Sequence, residues 1–107
     1  KSLFAMTAHI IYSEYDPVNT ATHSSIIIND IIRKKLKFKN ILISDDISMK
    51  ALKYNLKKNI IKSLDAGCNL ILHCNGNIKE MNVIAKTVPT IGQFILKKTS
   101  QFYKFLI

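Results

Sequence analysis

Three apolar runs divide the chain: Leu3 to Ile11, Ile41 to Ile43 and Leu70 to Leu72. Each has the length of a buried strand, and each precedes sequence whose apolar residues return every three or four positions, the period of one helix face. After the first run comes the turn-rich connection SEYDPVNTATHSS. Ile27, Ile28, Ile31, Ile32 and Leu36 then share a face, with Ser24 or Ser25 as the cap. After the second run, Leu56, Ile60, Ile61 and Leu64 predict a helix from Lys50 to Ala66, closed by Gly67 where a left-handed residue is wanted. After the third, Asn77 and Glu80 have capping-box spacing, Met81, Ile84, Ala85 and Val88 form the stripe, and Pro89 ends it. A last amphipathic helix, Gln93 to Phe105, sets Ile95, Phe102 and Leu106 on one side and Lys97, Lys98 and Lys104 on others.

Strands that are apolar on both faces and alternate with helices describe a parallel sheet covered by helices, an α/β protein. Three such strands leave both sheet edges unpaired. Two architectures fit: a flavodoxin-like fold cut short, or an arc of a barrel. The chain opens at Lys1 and is in strand-like sequence almost at once, so it is expected to be a piece of something longer.

The composition, 48% hydrophobic and 21% charged over 107 residues, suits one soluble domain. No run reaches the ~18 apolar residues of a membrane span. The N-terminus also lacks the order of a secretory signal, so a cytoplasmic location without membrane contact is expected. Cys68 and Cys74 have no metal-ligand spacing and read as reduced, buried thiols. A net charge of +9 raises nucleic acid as a partner. Yet 15 of the 16 basic residues are lysines spread along the chain, and Arg33 is the single guanidinium fork. The one cluster, Arg33 to Lys39, sits where a helix C-terminus attracts cations. No nucleic-acid partner is expected.

Polar residues gather at the strand ends: Thr7 and His9, then Ser44, Asp45 and Asp46, then His73, Asn75 and Asn77. In α/β folds this rim is where ligands bind and catalytic groups sit. Adjacent aspartates on a strand point to opposite faces, so one can enter a pocket while the other is tied to backbone or caps the next helix. His9 reads either as hydrogen-bonded core or as a pocket residue, His73 reads as structural, and His23 is expected in solvent. Three scattered glycines make no phosphate loop, there is no serine-hydrolase elbow, and no histidine or cysteine spacing suggests a metal. Carboxylate chemistry remains.

The segments M-T-A-H, S-D-D-x-S-M and D-A-G-C-N-x-x-L-H-C-N-G, in this order between Phe4 and Ile91, resemble the C-terminal part of bacterial β-N-acetylhexosaminidases of glycoside hydrolase family three. The resemblance implies that residues 1–107 are part of a (β/α)8 TIM barrel, its sixth to eighth strand–helix units, with the N-terminal part missing. It maps the catalytic nucleophile onto Asp45 and gives Asp46 a supporting place. His9, Met6 and Asn75 become candidates for sugar contact. The implied reaction is retaining hydrolysis, without a cofactor, of terminal β-linked N-acetylglucosamine on muropeptides of peptidoglycan recycling. The family's Lys-His-x-Pro-Gly segment and its acid/base loop histidine do not occur here. The chain alone is therefore expected to be inactive, with the missing half of the barrel as a partner. Two other classes stay open on the residues alone: a non-enzymatic remnant or basic binding module, and a receiver-like domain holding a metal on Asp45 and Asp46.

Overall fold

The computed structural model describes residues 2–106 of the chain, with side chains through residue 104. The three apolar runs meet in one parallel sheet, in the order β1 (Phe4–Met6), β2 (Ile41–Asp46), β3 (Leu70–Leu72). Phe4, Ala5 and Met6 lie opposite Ile41, Leu42 and Ile43, and Ile43 lies opposite Leu70. Paired residues point the same way, so Ala5, Leu42 and Ile71 share one face, and Phe4, Met6, Ile41, Ile43 and Leu70 share the other.

β1 is shorter than its apolar run, because its backbone changes partner. Thr7 N–H still donates to the Ile43 carbonyl at 2.8 Å, but the carbonyls of Ala8 and Ile10 then accept from Thr22 and Ala21 in a short 3-10 turn, Ala21–His23. Ile10, Ile11 and Tyr12 consequently reach solvent.

The first helix, Ile26–Lys35, winds as a π-helix, with Leu36 N–H donating to Ile31 five residues back at 2.7 Å. A stripe spaced for an α-helix slips when the turn widens. Ile27 and Ile28 are buried and Ile32 joins the core, but Leu36 is 69% exposed.

Helix α1 spans Leu56–Ala66 rather than starting at Lys50. Asn55 caps it through Lys58 N–H at 2.8 Å, and residues 47–54 form a loop of consecutive turns instead. Gly67 ends the helix at φ 127°. Helix α2 spans Ile78–Thr87 and stops before Pro89 as expected. The last helix, α3, spans Gln93–Leu106; the side chain of Leu106, expected on its apolar side, lies outside the described residues.

Two apolar clusters join the sheet to the helices. Ile28, Leu42, Ala66 and Cys68 form one, with Ala5, Ile32 and Phe38 against it. Ile47, Leu52 and Ile60 form the other, flanked by Leu56, Leu64, Ile71, Ile84 and Val88. Each fully buried Ile or Leu contributes about 1.5–3 kcal/mol. Below the sheet, Arg33 donates to the carbonyls of Phe38 and Asn40 and to Asn69 Oδ1, while Leu42 N–H donates to the same Asn69 oxygen. The single arginine is thus a structural clamp between the π-helix and the sheet.

Candidate active site

The rim at the carboxyl ends of the strands is built around the adjacent Asp45 and Asp46. Leu42 faces the helices and Ser44 follows it. A bulge then breaks the expected alternation: Asp46 pairs with Leu72, which shares the face of Leu70 and Ile43. Between Ile43 and Asp46 the pairing with β3 slips, and the Leu72 N–H is taken by Ser44 Oγ at 3.1 Å. Bulges re-aim side chains at barrel rims and active sites.

Asp45 is half-buried. The one hydrogen bond its carboxylate receives among the described residues is from the next backbone N–H, Asp46 N to Asp45 Oδ1 at 2.8 Å. That bond fixes one oxygen and leaves the other for chemistry.

Asp46 is fully engaged. Its carboxylate accepts from Ser48 N–H at 3.0 Å, Ser48 Oγ at 2.8 Å and Cys74 N–H at 3.1 Å, which ties the end of β2 to its own loop and to the end of β3. Burial raises its pKa, but the Ser48 and Cys74 donors and the nearby His73 together outweigh that and hold it below the ordinary value. These bonds occupy the Asp46 carboxylate with groups of the protein itself.

His9 is buried and both ring nitrogens have partners: Nε2 lies 2.8 Å from the Asp46 carbonyl and Nδ1 lies 2.8 Å from Thr22 Oγ1. A carbonyl only accepts, so Nε2 carries a proton. The candidate sugar contact therefore binds protein at both nitrogens and pins the end of β2 from the β1 side. Met6 is 55% exposed on the same sheet face as Ile43. Asn75 is exposed in the β3–α2 loop, where its side chain accepts from Asn77 N–H at 2.9 Å and donates to Glu80 at 3.1 Å. Glu80 also pairs with His73 Nε2 at 3.0 Å, which lowers its pKa and locks the first turn of α2 to the end of β3. The capping box is thus half-made: Asn77 caps Glu80 N–H, and the Glu80 side chain turns to His73 instead.

Two expectations change. His23 is buried, not solvated: the 3-10 turn carries it under the β2–α1 loop beside Tyr54. Cys74 is exposed in the loop after β3, whereas Cys68 is buried in the core, which raises its thiol to about 11. A metal shared by Asp45 and Asp46 would have to compete with the Ser48 and Cys74 donors that already engage the Asp46 carboxylate.

Thr22, fully buried, carried no sequence signal and is a hydrogen-bond hub under His9; Ser24, one of the two predicted caps, is also fully buried and accepts from Ile27 N–H at 3.1 Å. Asp16, also buried, accepts from Val18 and Asn19 N–H at 3.0 Å; the Ser24 hydroxyl, then these donors, hold its carboxyl down to about 2. The D-P-x-N pattern of a turn was its available signature.

The family model described as the glycosyl hydrolase family 3 N terminal domain matches residues 1–97. The chain belongs to this family. Beta-hexosaminidase of Shewanella frigidimarina is 40% identical over 75 residues, which are 68% of this chain and 22% of that protein. Beta-hexosaminidase of Haemophilus influenzae is 42% identical over 72 residues, 65% of this chain and 20% of that one. The crystal structure of the beta-N-acetylglucosaminidase from Thermotoga maritima superposes with a TM-score of 0.68 at 28% identity, covering 96% of this chain and 24% of the other. A family 3 β-N-acetylglucosaminidase from Paenibacillus sp. reaches a TM-score of 0.75 at 19% identity, over 97% of this chain and 22% of that one, a likeness of fold. The chain spans about a fifth to a quarter of the length of these relatives. Family 3 neighbours are TIM-barrel-like α/β proteins, and the parallel sheet with helices described above is of that class.

Proposed function

We propose that the chain is the nucleophile-bearing part of a retaining β-N-acetylglucosaminidase, and that its three strands with their helices are units six to eight of a (β/α)8 barrel. The observation that carries this reading is the placement of Asp45: within a bulge at the carboxyl end of a parallel strand, half-buried, with one oxygen uncommitted. The names of the relatives give the sugar.

In this reading Asp45 attacks the anomeric carbon of a terminal β-linked N-acetylglucosamine, a covalent glycosyl-enzyme forms, and water releases the sugar. No cofactor takes part. His9 and Asp46 act as positioning residues: one pins the Asp46 carbonyl, the other spans the two strand ends, and Asp45 is held between them. Muropeptides are the substrate class and the cytoplasm the setting. The acid/base group comes from the remainder of the barrel, so the chain alone lacks a contribution of about 10²–10⁴-fold.

Fusing the chain to the N-terminal part of a family 3 β-N-acetylglucosaminidase tests this. The fusion is expected to release the chromophore from an aryl N-acetylglucosaminide, and Asp45→Asn to lower the rate by several orders of magnitude with the fold intact by circular dichroism. Asp46→Asn is expected to cost far less. An active fusion that tolerates Asp45→Asn would overturn the assignment.

A further inference from the structure

The loop from β2 to α1 and the first half of α1 carry a second group of polar side chains that the proposed chemistry does not use. Lys53, Lys58 and Lys62 bring their ammonium groups to 5.5, 4.5 and 4.8 Å from the centre of the Tyr54 ring. Each pair is therefore within about 10 Å, close to the ~8 Å screening length at physiological salt. None of the three has a carboxylate within salt-bridge distance among the described residues, and the sequence has no acidic residue between Asp46 and Asp65. Cation–π attraction accounts for part of this grouping. A ring has only two faces, so it does not account for three cations.

Beside the ring is a cavity of about 70 Å³ lined by Asn19, Thr20, His23, Lys53 and Tyr54 together with apolar neighbours. Roughly 10–15 Å³ of such space holds one water, so the cavity takes several waters or one small oxyanion. Two of its lining groups, Thr20 Oγ1 and His23 Nε2, are buried without a hydrogen-bond partner, and His23 itself is only 8% exposed. Buried polar atoms left unpaired in a native fold call for an explanation such as a bound ion. Hydroxyl, imidazole and ammonium can all donate here, and no carboxylate lines the cavity.

We infer that this cavity is an oxyanion site, taking a phosphate or carboxylate group from the Lys53, His23 and Thr20 donors, with Lys58 and Lys62 supplying the surrounding positive field. The anion is either free phosphate or an acidic group on the leaving side of the glycoside. The second source rests on the function proposed above; the site itself does not.

The test is an NMR titration of the 107-residue chain with sodium phosphate, sodium acetate and sodium chloride at matched ionic strength, following the side-chain signals of His23 and Tyr54. Saturable shifts with phosphate or acetate and none with chloride are expected. Lys53→Gln and Lys62→Gln, both changed at exposed or half-exposed positions, should each weaken binding about tenfold. Lys97→Gln and Lys104→Gln on α3 should leave it unchanged. An N-acetylglucosaminide with a carboxylate on its leaving group separates the sources: competition with phosphate assigns the anion to substrate, and its absence assigns it to the free ion. Shifts that follow ionic strength alike for all three salts, or that survive Lys53→Gln and Lys62→Gln undiminished, would overturn the site.

Discussion

His23 enters the fold as the neutral imidazole rather than the imidazolium. Burial is the main reason, with Lys62, His9 and Lys53 adding repulsion, and together they lower its pKa from 6.5 to about 4 despite the nearby Asn59 backbone. Well above pH 6.5 neither folded nor unfolded chain converts it to the imidazolium. As the pH falls toward 4 the unfolded chain takes up a proton that the folded chain refuses, so stability declines through that window. Asp16 acts next and in the same direction. Its carboxyl titrates near 2 in the fold against 3.8 ordinarily, so its stabilising contribution, complete above pH 4, is lost between about pH 4 and 2. Urea midpoints should therefore fall in two steps. In His23→Gln the step between pH 7 and 5 should vanish while the lower one stays. A midpoint that is flat from pH 7 to 5 in the parent chain would show that His23 is not held neutral by the fold.

Element by element, the joints carry more information than the strands and helices themselves. At the end of α1 a Cβ on Gly67 would stand 2.7 Å from Ile28 Cγ2, and the φ of 127° already disfavours any side chain. Gly67→Ala should cost roughly 2–4 kcal/mol, strain and overpacking together. Gly76, at φ 70° with open space around it, supplies the comparison: Gly76→Ala should cost about 1–2 kcal/mol from backbone alone. Equal denaturant midpoints for the two variants would mean that the α1–π-helix contact is not tight. Gly67 was legible beforehand, since a glycine after an apolar stripe marks a helix end, and so were the three strands and the Asn77 cap. The early end of β1 was not, because its backbone partners Ala21 and Thr22 are joined to it only through tertiary pairing. The same holds for His9, whose partners Thr22 and Asp46 lie 13 and 37 residues away. The π-winding of Ile26–Lys35 also left no trace, since its isoleucines satisfy the α-helical period equally well.

As a whole the molecule is a slab, 41 by 37 by 19 Å, thin because the π-helix, α1, α2 and both core clusters lie against one sheet face. The other face presents Phe4, 40% exposed, and Met6 at 55%, beside the buried Ile41, and the Phe102 ring of α3 stands edge-on to Phe4 at 6.1 Å. β1 and β3 are the outer strands, so their far sides offer unpaired backbone groups. Exposed apolar surface next to open sheet edges favours association, whereas a net charge of +9 opposes it. The two effects respond oppositely to salt. Screening weakens the repulsion at the ~8 Å Debye length of physiological ionic strength and leaves apolar burial untouched. The 107-residue chain should therefore be most nearly monomeric at low salt and associate as salt is added, and Met6→Lys should shift the balance back toward monomer. Light scattering across a salt series reads this directly. Association that weakens with salt would instead point to ionic pairing between copies. A chain that stays monomeric at every salt concentration would mean that α3 shields the second face more fully than the Phe4–Phe102 contact alone would.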